Sequence, residues 1–180
     1  GLLEPVPEDR DQAFSRYEGL VLGLVRTREP RFQNFGGTYA GIGGLTWNGR
    51  DQDRRLLVGL EAGDFQAAAT ELRAKLTDLV LEVSVATMPP DWRRVDGDRL
   101  LKDLKGRRDA LPEIADRFYR HLAGIVDVTL TNRAETVDAL RGSDGTLELT
   151  VRVPDSRVTG NEPGYHRTFR RGETDEVRLY

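Results

Sequence analysis

The stretch that decides the fold is LPEIADRFYRHLAGIVDVTL, residues 111–130. Up to Leu122 its apolar residues recur every three or four positions, a spacing that predicts an amphipathic helix. After Gly124 the period changes to two, because Val126 and Val128 alternate with polar residues, as in a half-buried strand. The chain is therefore expected to change from helix to strand close to residue 124.

Helical spacing dominates the chain before this point. It predicts helices at residues 12–25, 51–60, 64–88 and 96–124. Asp64 is a suitable N-cap for the third of these helices, and Pro89 and Pro90 end it. Pro112 kinks or restarts the fourth helix, with Asp109 as the new cap, because proline removes a backbone hydrogen bond.

Strand patterns dominate the remainder of the chain. Alternating residues at 126–130 and 147–153, with a turn at residues 143–145, predict paired strands, and residues 165–169 and 176–180 are also strand-like. A short strand is also predicted in residues 1–11. Helices followed by strands are typical of the α+β class. We therefore predict a helical part over residues 1–124 and a small antiparallel β module over residues 125–180.

Composition excludes several classes of function. The 27 basic and 30 acidic residues give a net charge of −3, which argues against a nucleic-acid-binding surface. Cysteine is absent, so disulfides, thiol nucleophiles and thiolate metal sites are excluded. The only histidines, His121 and His166, are expected at the surface or the edge of the core. No apolar run is long enough to cross a bilayer, so we expect no membrane insertion by this segment.

Strand-like residues stand at both ends of the chain, with Leu2 and Leu3 near the start and residues 177–180 at the end. This pattern leads us to expect a fragment of a larger protein. The expected partner of this fragment is the upstream part of the same polypeptide.

The most suggestive chemical group is Pro7-Glu8-Asp9-Arg10-Asp11, where a predicted strand ends and a helix begins. Two carboxylates at such a strand end, Asp9 and Asp11, can face one site, and Mg²⁺ prefers oxygen ligands of this kind. The alternative is structural, with Asp11 capping the following helix and Asp9 paired with a neighbouring arginine. Spacing alone leaves both interpretations open.

A second charged group is Arg50-Asp51-Gln52-Asp53-Arg54-Arg55. On a helix, ion pairs between residues four positions apart account for most of these charges. The glycines from Gly36 to Gly49 match neither the dinucleotide fingerprint nor the phosphate loop, and they are interpreted as turns beside a partly buried aromatic lining.

The run Pro-x-Asp-x-Asp-x-x-Phe at residues 7–14 resembles the metal-binding segment of the atypical bacterial kinases related to spore-coat protein H. The resemblance implies the end of a kinase C-lobe, in which Asp9 and Asp11 bind Mg²⁺ together with ATP. Arg10 and Arg50 are then expected to offset phosphate charge. Because the other kinase residues lie upstream in that family, the chain would be inactive by itself.

Longer stretches are similar to a region of large bacterial cell-envelope proteins, in which it can lie between an enzyme-like part and an outer-membrane β-barrel. The similarity implies a location in the cell envelope, on the periplasmic side. It also supports an alternative function, a non-catalytic structural or interaction module that links an enzyme domain to an anchor. It is carried by residues 44–50, 53–55, 107–112 and 176–180.

Overall fold

The computed structural model describes residues 13–39, 41–153 and 164–180. Within them seven helices precede five strands, so the fold class is α+β. The helices are α1 (Leu20–Arg28), α2 (Ile42–Leu45), α3 (Arg50–Leu56), α4 (Ala62–Lys75), α5 (Asp78–Ala86), α6 (Pro90–Asp109) and α7 (Leu111–Ala123). The strands are β1 (Ile125–Val128), β2 (Thr136–Arg141), β3 (Leu147–Arg152), β4 (Tyr165–Phe169) and β5 (Glu176–Leu179).

Contacts group the chain into two compact units, and each is assembled from separated stretches of sequence. Unit 1 takes in residues up to 48 and residues 72–111, and unit 2 takes in residues 49–71 and those from 112 onward. The units therefore do not follow the change from helix to strand at residue 124. Long-range bonds explain the grouping of unit 2, because Arg54 of α3 donates to the Ile125 carbonyl at 3.0 Å.

Helix α1 begins at Leu20, well after the predicted start of the first helix. The preceding residues bond to a distant loop instead of forming a helical turn. The backbone N–H of Tyr17 donates to Asn34 Oδ1 at 2.6 Å, and the N–H of Phe35 donates to the Ser15 carbonyl at 3.0 Å. Tertiary pairing thus replaces the helix that periodicity predicts here.

The third predicted helix is divided into α4 and α5, with a break after Lys75. Thr77 caps α5, because its hydroxyl accepts the Val80 N–H at 3.3 Å. Asp64 lies inside the first turn of α4 and accepts the N–H of Glu61 at 2.8 Å. Asp64 is thus the third residue of α4 and not its N-cap, and its bond to the Glu61 N–H is the backward bond of a capping box.

Helix α6 begins at Pro90, earlier than predicted, because proline suits the first position of a helix. The prediction of a break near Pro112 is confirmed, since α6 ends at Asp109 and α7 begins at Leu111. The carboxylate of Asp109 accepts a bond from Arg108 Nε at 2.9 Å.

The strands form two sheets. Strands β2, β3 and β4 form an antiparallel sheet in that order, which confirms the predicted antiparallel module, although β2 was not recognised from the sequence. The predicted pairing of residues 126–130 with residues 147–153 is wrong, because β3 pairs with β2 and β4. Strand β1 instead pairs in parallel with β5, with Val128 opposite Leu179. The chain turns away after β1, where both carboxylate oxygens of Glu135 accept the N–H of Thr131 at 3.0 and 3.1 Å.

The register gives the antiparallel sheet one apolar face and one polar face. Leu149, Val151 and Phe169 are buried on the inner face, together with Val126 and Val128 of β1. The outer face carries polar pairs instead, including the ion pair Asp138–Arg152 and the contact of Glu148 with His166.

One inner-face residue breaks the apolar pattern. Arg167 lies between Tyr165 and Phe169 on β4 and is only 4% exposed. Its Nη1 donates to the Val58 carbonyl at 2.6 Å, and its guanidinium lies 5.0 Å from the centre of the Phe169 ring. The Tyr165 hydroxyl donates to the same carbonyl at 3.3 Å. Strand β4 therefore holds the segment that follows α3.

Substituting Arg167 by alanine is expected to lower the free energy of unfolding of unit 2 by about 2–4 kcal/mol, because it leaves a cavity and weakens the bonding of the Val58 carbonyl. Arg152→Ala on the outer face is the matched control and should cost about 0–1 kcal/mol. Amide hydrogen exchange of strand β3 measures both values. Equal protection in the two variants would contradict the clamping role of Arg167.

Candidate functional site

Of the residues predicted to bind metal or nucleotide, the structure describes one. Asp9, Arg10 and Asp11 lie outside the described residues. Arg50 is described, and it is an exposed residue at the start of α3 whose Nη2 lies 3.7 Å from Asp51 Oδ2. Among the described residues, no three or more His, Cys, Asp or Glu side chains are grouped as metal ligands would be. Of the four predicted site residues, Arg50 is therefore the one whose position the structure describes.

The best-packed part of unit 1 is the helical hairpin formed by α5 and α6. Leu81 and Val85 are the buried residues of α5, and they are spaced one helical turn apart. Val85 packs with Leu100 of α6 and with Phe35 of the preceding loop. One face of α5 is thus committed to the core of unit 1.

Charged groups fasten the hairpin at the start of α5. Lys105 Nζ lies 2.9 Å from the carboxylate of Asp78 and 2.8 Å from that of Glu82. Arg108 also donates to Asp78 and, at 3.3 Å, to the Leu76 carbonyl. These hydrogen bonds, from Arg108 foremost, lower the pKa of Asp78, and Asp78 and Glu82 raise the pKa of Lys105. The orientation of α5 is therefore set at its first turn.

The glycine-rich loop lies directly on α6. The Arg107 guanidinium lies 4.3 Å from the ring centre of Phe35 and 4.6 Å from that of Tyr39, and its Nε donates to the Gly36 carbonyl at 2.8 Å. Burial lowers the pKa of Arg107 and raises that of Tyr39. A Cβ atom at Gly106 would stand 2.7 Å from the Gly37 carbonyl oxygen, so only glycine allows this close approach. The predicted aromatic lining is thus assembled around one arginine.

The opposite side of α5 forms an apolar surface that the described residues leave open. Leu79 is 68% exposed and Val83 is 56% exposed, one helical turn apart. We call these two side chains the α5 outer face. A helix with apolar residues on both sides is normally buried on both sides. The signal was present in the sequence DLVLEVSVA, which carries apolar residues all around the helix.

Other helices of unit 1 also expose large apolar side chains. In α1, Leu20 is 92% exposed and Leu24 is 71% exposed, and the helix has no buried residue. In α6, Val95 is 82% exposed and Trp92 is 70% exposed. Trp92 is therefore not buried between helices in the described part of the chain.

Unit 2 contains a cavity of about 320 Å³ beside the ends of β1 and β3. Its lining includes Asp127, Tyr165 and Glu135 together with several valines. Asp127 Oδ1 is buried without a hydrogen-bond partner, and Arg178 Nη1 lies 3.9 Å away. Burial raises the pKa of Tyr165.

The chain was compared with models of known protein families, with curated proteins and with solved structures, and none of the three comparisons found a match. In the described part of the chain, no helix combines the length and apolar character needed to span a membrane.

Substituting Gly106 by alanine is expected to destabilise unit 1 by about 1–2 kcal/mol. The overpacking against the Gly37 carbonyl outweighs the helix propensity that alanine adds. Gly23→Ala is the matched control, because a Cβ atom there meets nothing within 4 Å, so this variant should be slightly stabilised. Trp47 and Trp92 both lie in unit 1, so urea unfolding followed by tryptophan fluorescence reports this unit. A Gly106→Ala variant as stable as the control would contradict the close approach.

Proposed function

We propose that this chain is a non-catalytic interaction module of a bacterial cell-envelope protein, and that unit 1 packs against the upstream part of the same polypeptide. The supporting observation is the α5 outer face, where Leu79 and Val83 are exposed on the side opposite the buried residues of the same helix. The setting in the cell envelope follows from the resemblance to large envelope proteins.

The size of the α5 outer face favours a partner in the same chain. Stable contacts between separate proteins bury about 800 Å² on each partner, far more than two side chains provide. Burying Leu79 and Val83 completely would contribute about 1–2 kcal/mol for each residue, because each is already partly covered. A covalently linked segment is present at an effective concentration of about a millimolar, so half occupancy needs about 4 kcal/mol, the upper end of what these two side chains contribute.

Thiol labelling tests this proposal directly, because the chain contains no cysteine. We expect the thiol of Leu79→Cys to react roughly twofold more slowly in the longer native chain than in these 180 residues, since docking of this strength buries it about half of the time. Leu140→Cys is the matched control, because Leu140 is 65% exposed on the outer face of β2 in unit 2. Its reactivity should be the same in both chains.

Val83→Cys places a thiol at the second position of the α5 outer face. It shows whether slower labelling is a property of the whole face or of the Leu79 position alone. Slower labelling at both positions, with no change at Leu140→Cys, would support docking of the upstream segment. Equal labelling rates in the short and long chains at both positions would overturn the proposal.

The second candidate function is a kinase-like phosphotransferase, favoured by the spacing of Asp9 and Asp11. This interpretation stays a prediction, because both residues lie outside the described part of the chain. In it, the two carboxylates would hold Mg²⁺ together with ATP, and Arg10 and Arg50 would offset phosphate charge. Upstream residues would supply the remaining groups.

For this second candidate, calorimetry of the longer native chain with ATP and Mg²⁺ is the deciding measurement. We expect Asp9→Ala to abolish metal-dependent nucleotide binding, because a principal oxygen ligand is lost. Asp91→Ala is the matched control, because Asp91 is an exposed acidic residue paired with Arg94 on α6. Binding that survives Asp9→Ala, or that is absent from the unsubstituted long chain, would contradict the kinase-like function and leave the interaction module.

A further inference from the structure

A groove of about 470 Å³ lies at one end of the antiparallel sheet in unit 2. Two turns form its sides, the turn between β2 and β3 and the turn between β4 and β5. Its apolar floor is formed by Leu147, Phe169 and Val177. The charged residues at its edge include three arginines, Arg141, Arg170 and Arg171.

Strand register explains how arginines that are far apart in sequence meet here. Arg141 is opposite Leu147 on β3, and Leu147 is opposite Phe169 on β4. Paired residues of an antiparallel sheet point to the same face, so Arg141 ends a row that is otherwise apolar. Arg170 and Arg171 follow Phe169 directly in the chain.

Two of these arginines have no competing partner. The side chains of Arg141 and Arg171 form no hydrogen bond or ion pair with any other described residue. Arg170 is only weakly engaged, because its Nη1 lies 3.8 Å from Glu61 Oε2. A Cβ atom at Gly145 would lie 3.9 Å from the Arg171 side chain, so the stem of this arginine passes close to the β2–β3 turn.

Acidic residues near the groove offset part of the positive charge. Asp175 and Glu176 also line it. Glu176 is already held by Arg178, through two hydrogen bonds of 2.9 and 3.0 Å. Asp144, in the adjacent turn, accepts both the N–H and the hydroxyl of Thr146. Three arginines against two acidic residues leave one excess positive charge among the lining residues, and Asp144 in the adjacent turn interacts with Arg170.

We infer that this groove binds a phosphate monoester with an apolar substituent. The three terminal oxygens of a phosphate group can accept hydrogen bonds from more than one guanidinium, and arginine forms paired bonds to such groups. The apolar part of the ligand would lie against Leu147 and Val177. The inference is independent of the function proposed for unit 1, because every residue that carries it belongs to unit 2.

The test is an NMR titration of the ¹⁵N-labelled 180-residue chain with phenyl phosphate, following the arginine Nε–Hε signals. We expect saturable shifts at Arg141 and Arg171. The double variant Arg141→Ala, Arg171→Ala should bind at least roughly tenfold more weakly, because charge-assisted bonds are lost. The matched control is Arg152→Ala, which removes an arginine at the other end of β3 and should leave the affinity unchanged.

The phosphate can belong to a soluble ester or to a lipid headgroup. A second experiment, sedimentation with lipid vesicles, distinguishes these two ligands. Phosphatidylcholine vesicles that contain phosphatidic acid are mixed with the chain and sedimented. Shifts with phenyl phosphate but no sedimentation would assign a soluble ester, whereas sedimentation that the double variant abolishes would assign a lipid headgroup.

Three results would overturn the inference. The first is the absence of both saturable shifts and sedimentation in the unsubstituted chain. The second is unchanged affinity in the double variant, with an amide spectrum that shows an intact fold. The third is an equal response to sodium chloride at matched ionic strength, which would mean charge screening alone.

Discussion

The buried guanidinium of Arg167 is the interaction on which unit 2 depends. A charged group on the apolar face of a sheet is costly unless its donors are satisfied. Here the Val58 carbonyl accepts one bond, and the Tyr119 and Phe169 rings lie 6.0 and 5.0 Å from the guanidinium, whereas its Nε is buried without a hydrogen-bond partner among the described residues. The segment after α3 is consequently held on strands that follow it by more than a hundred residues in sequence. Unit 2 is assembled by this distant pairing and crosses the boundary that local periodicity predicts.

Unit 1 also depends on an arginine that packs against aromatic rings. Arg107 lies between two aromatic rings of the glycine-rich loop, and Gly106 lets that loop approach α6 closely. The loop and α5 both pack on α6, which commits one face of α5 to the core. The opposite face is left with Leu79 and Val83 exposed. The interaction proposed for this chain follows from that arrangement, because hydrophobic burial is incomplete within the described residues.

The candidate sites differ in how far the sequence could predict them. Asp9 and Asp11 are neighbours in the chain, so spacing alone suggests a shared metal. The arginine groove gives no such signal, because Arg141 and Arg171 are separated by two strands and meet only through the register of the sheet. The α5 outer face could be predicted from the sequence only in part. Its apolar residues are visible in the sequence, but which of them are buried depends on the position of α6.

The sequence by itself determined the α+β class, the change of period near Gly124 and the helix break near Pro112, because these depend on local periodicity and on proline geometry. It also excluded thiol chemistry, since cysteine is absent. The tertiary structure alone decided that β1 pairs with β5, that Arg167 is buried while Trp92 is exposed, and that three arginines line one groove. These features depend on contacts between residues distant in the chain, and no local pattern encodes which distant partner is bound.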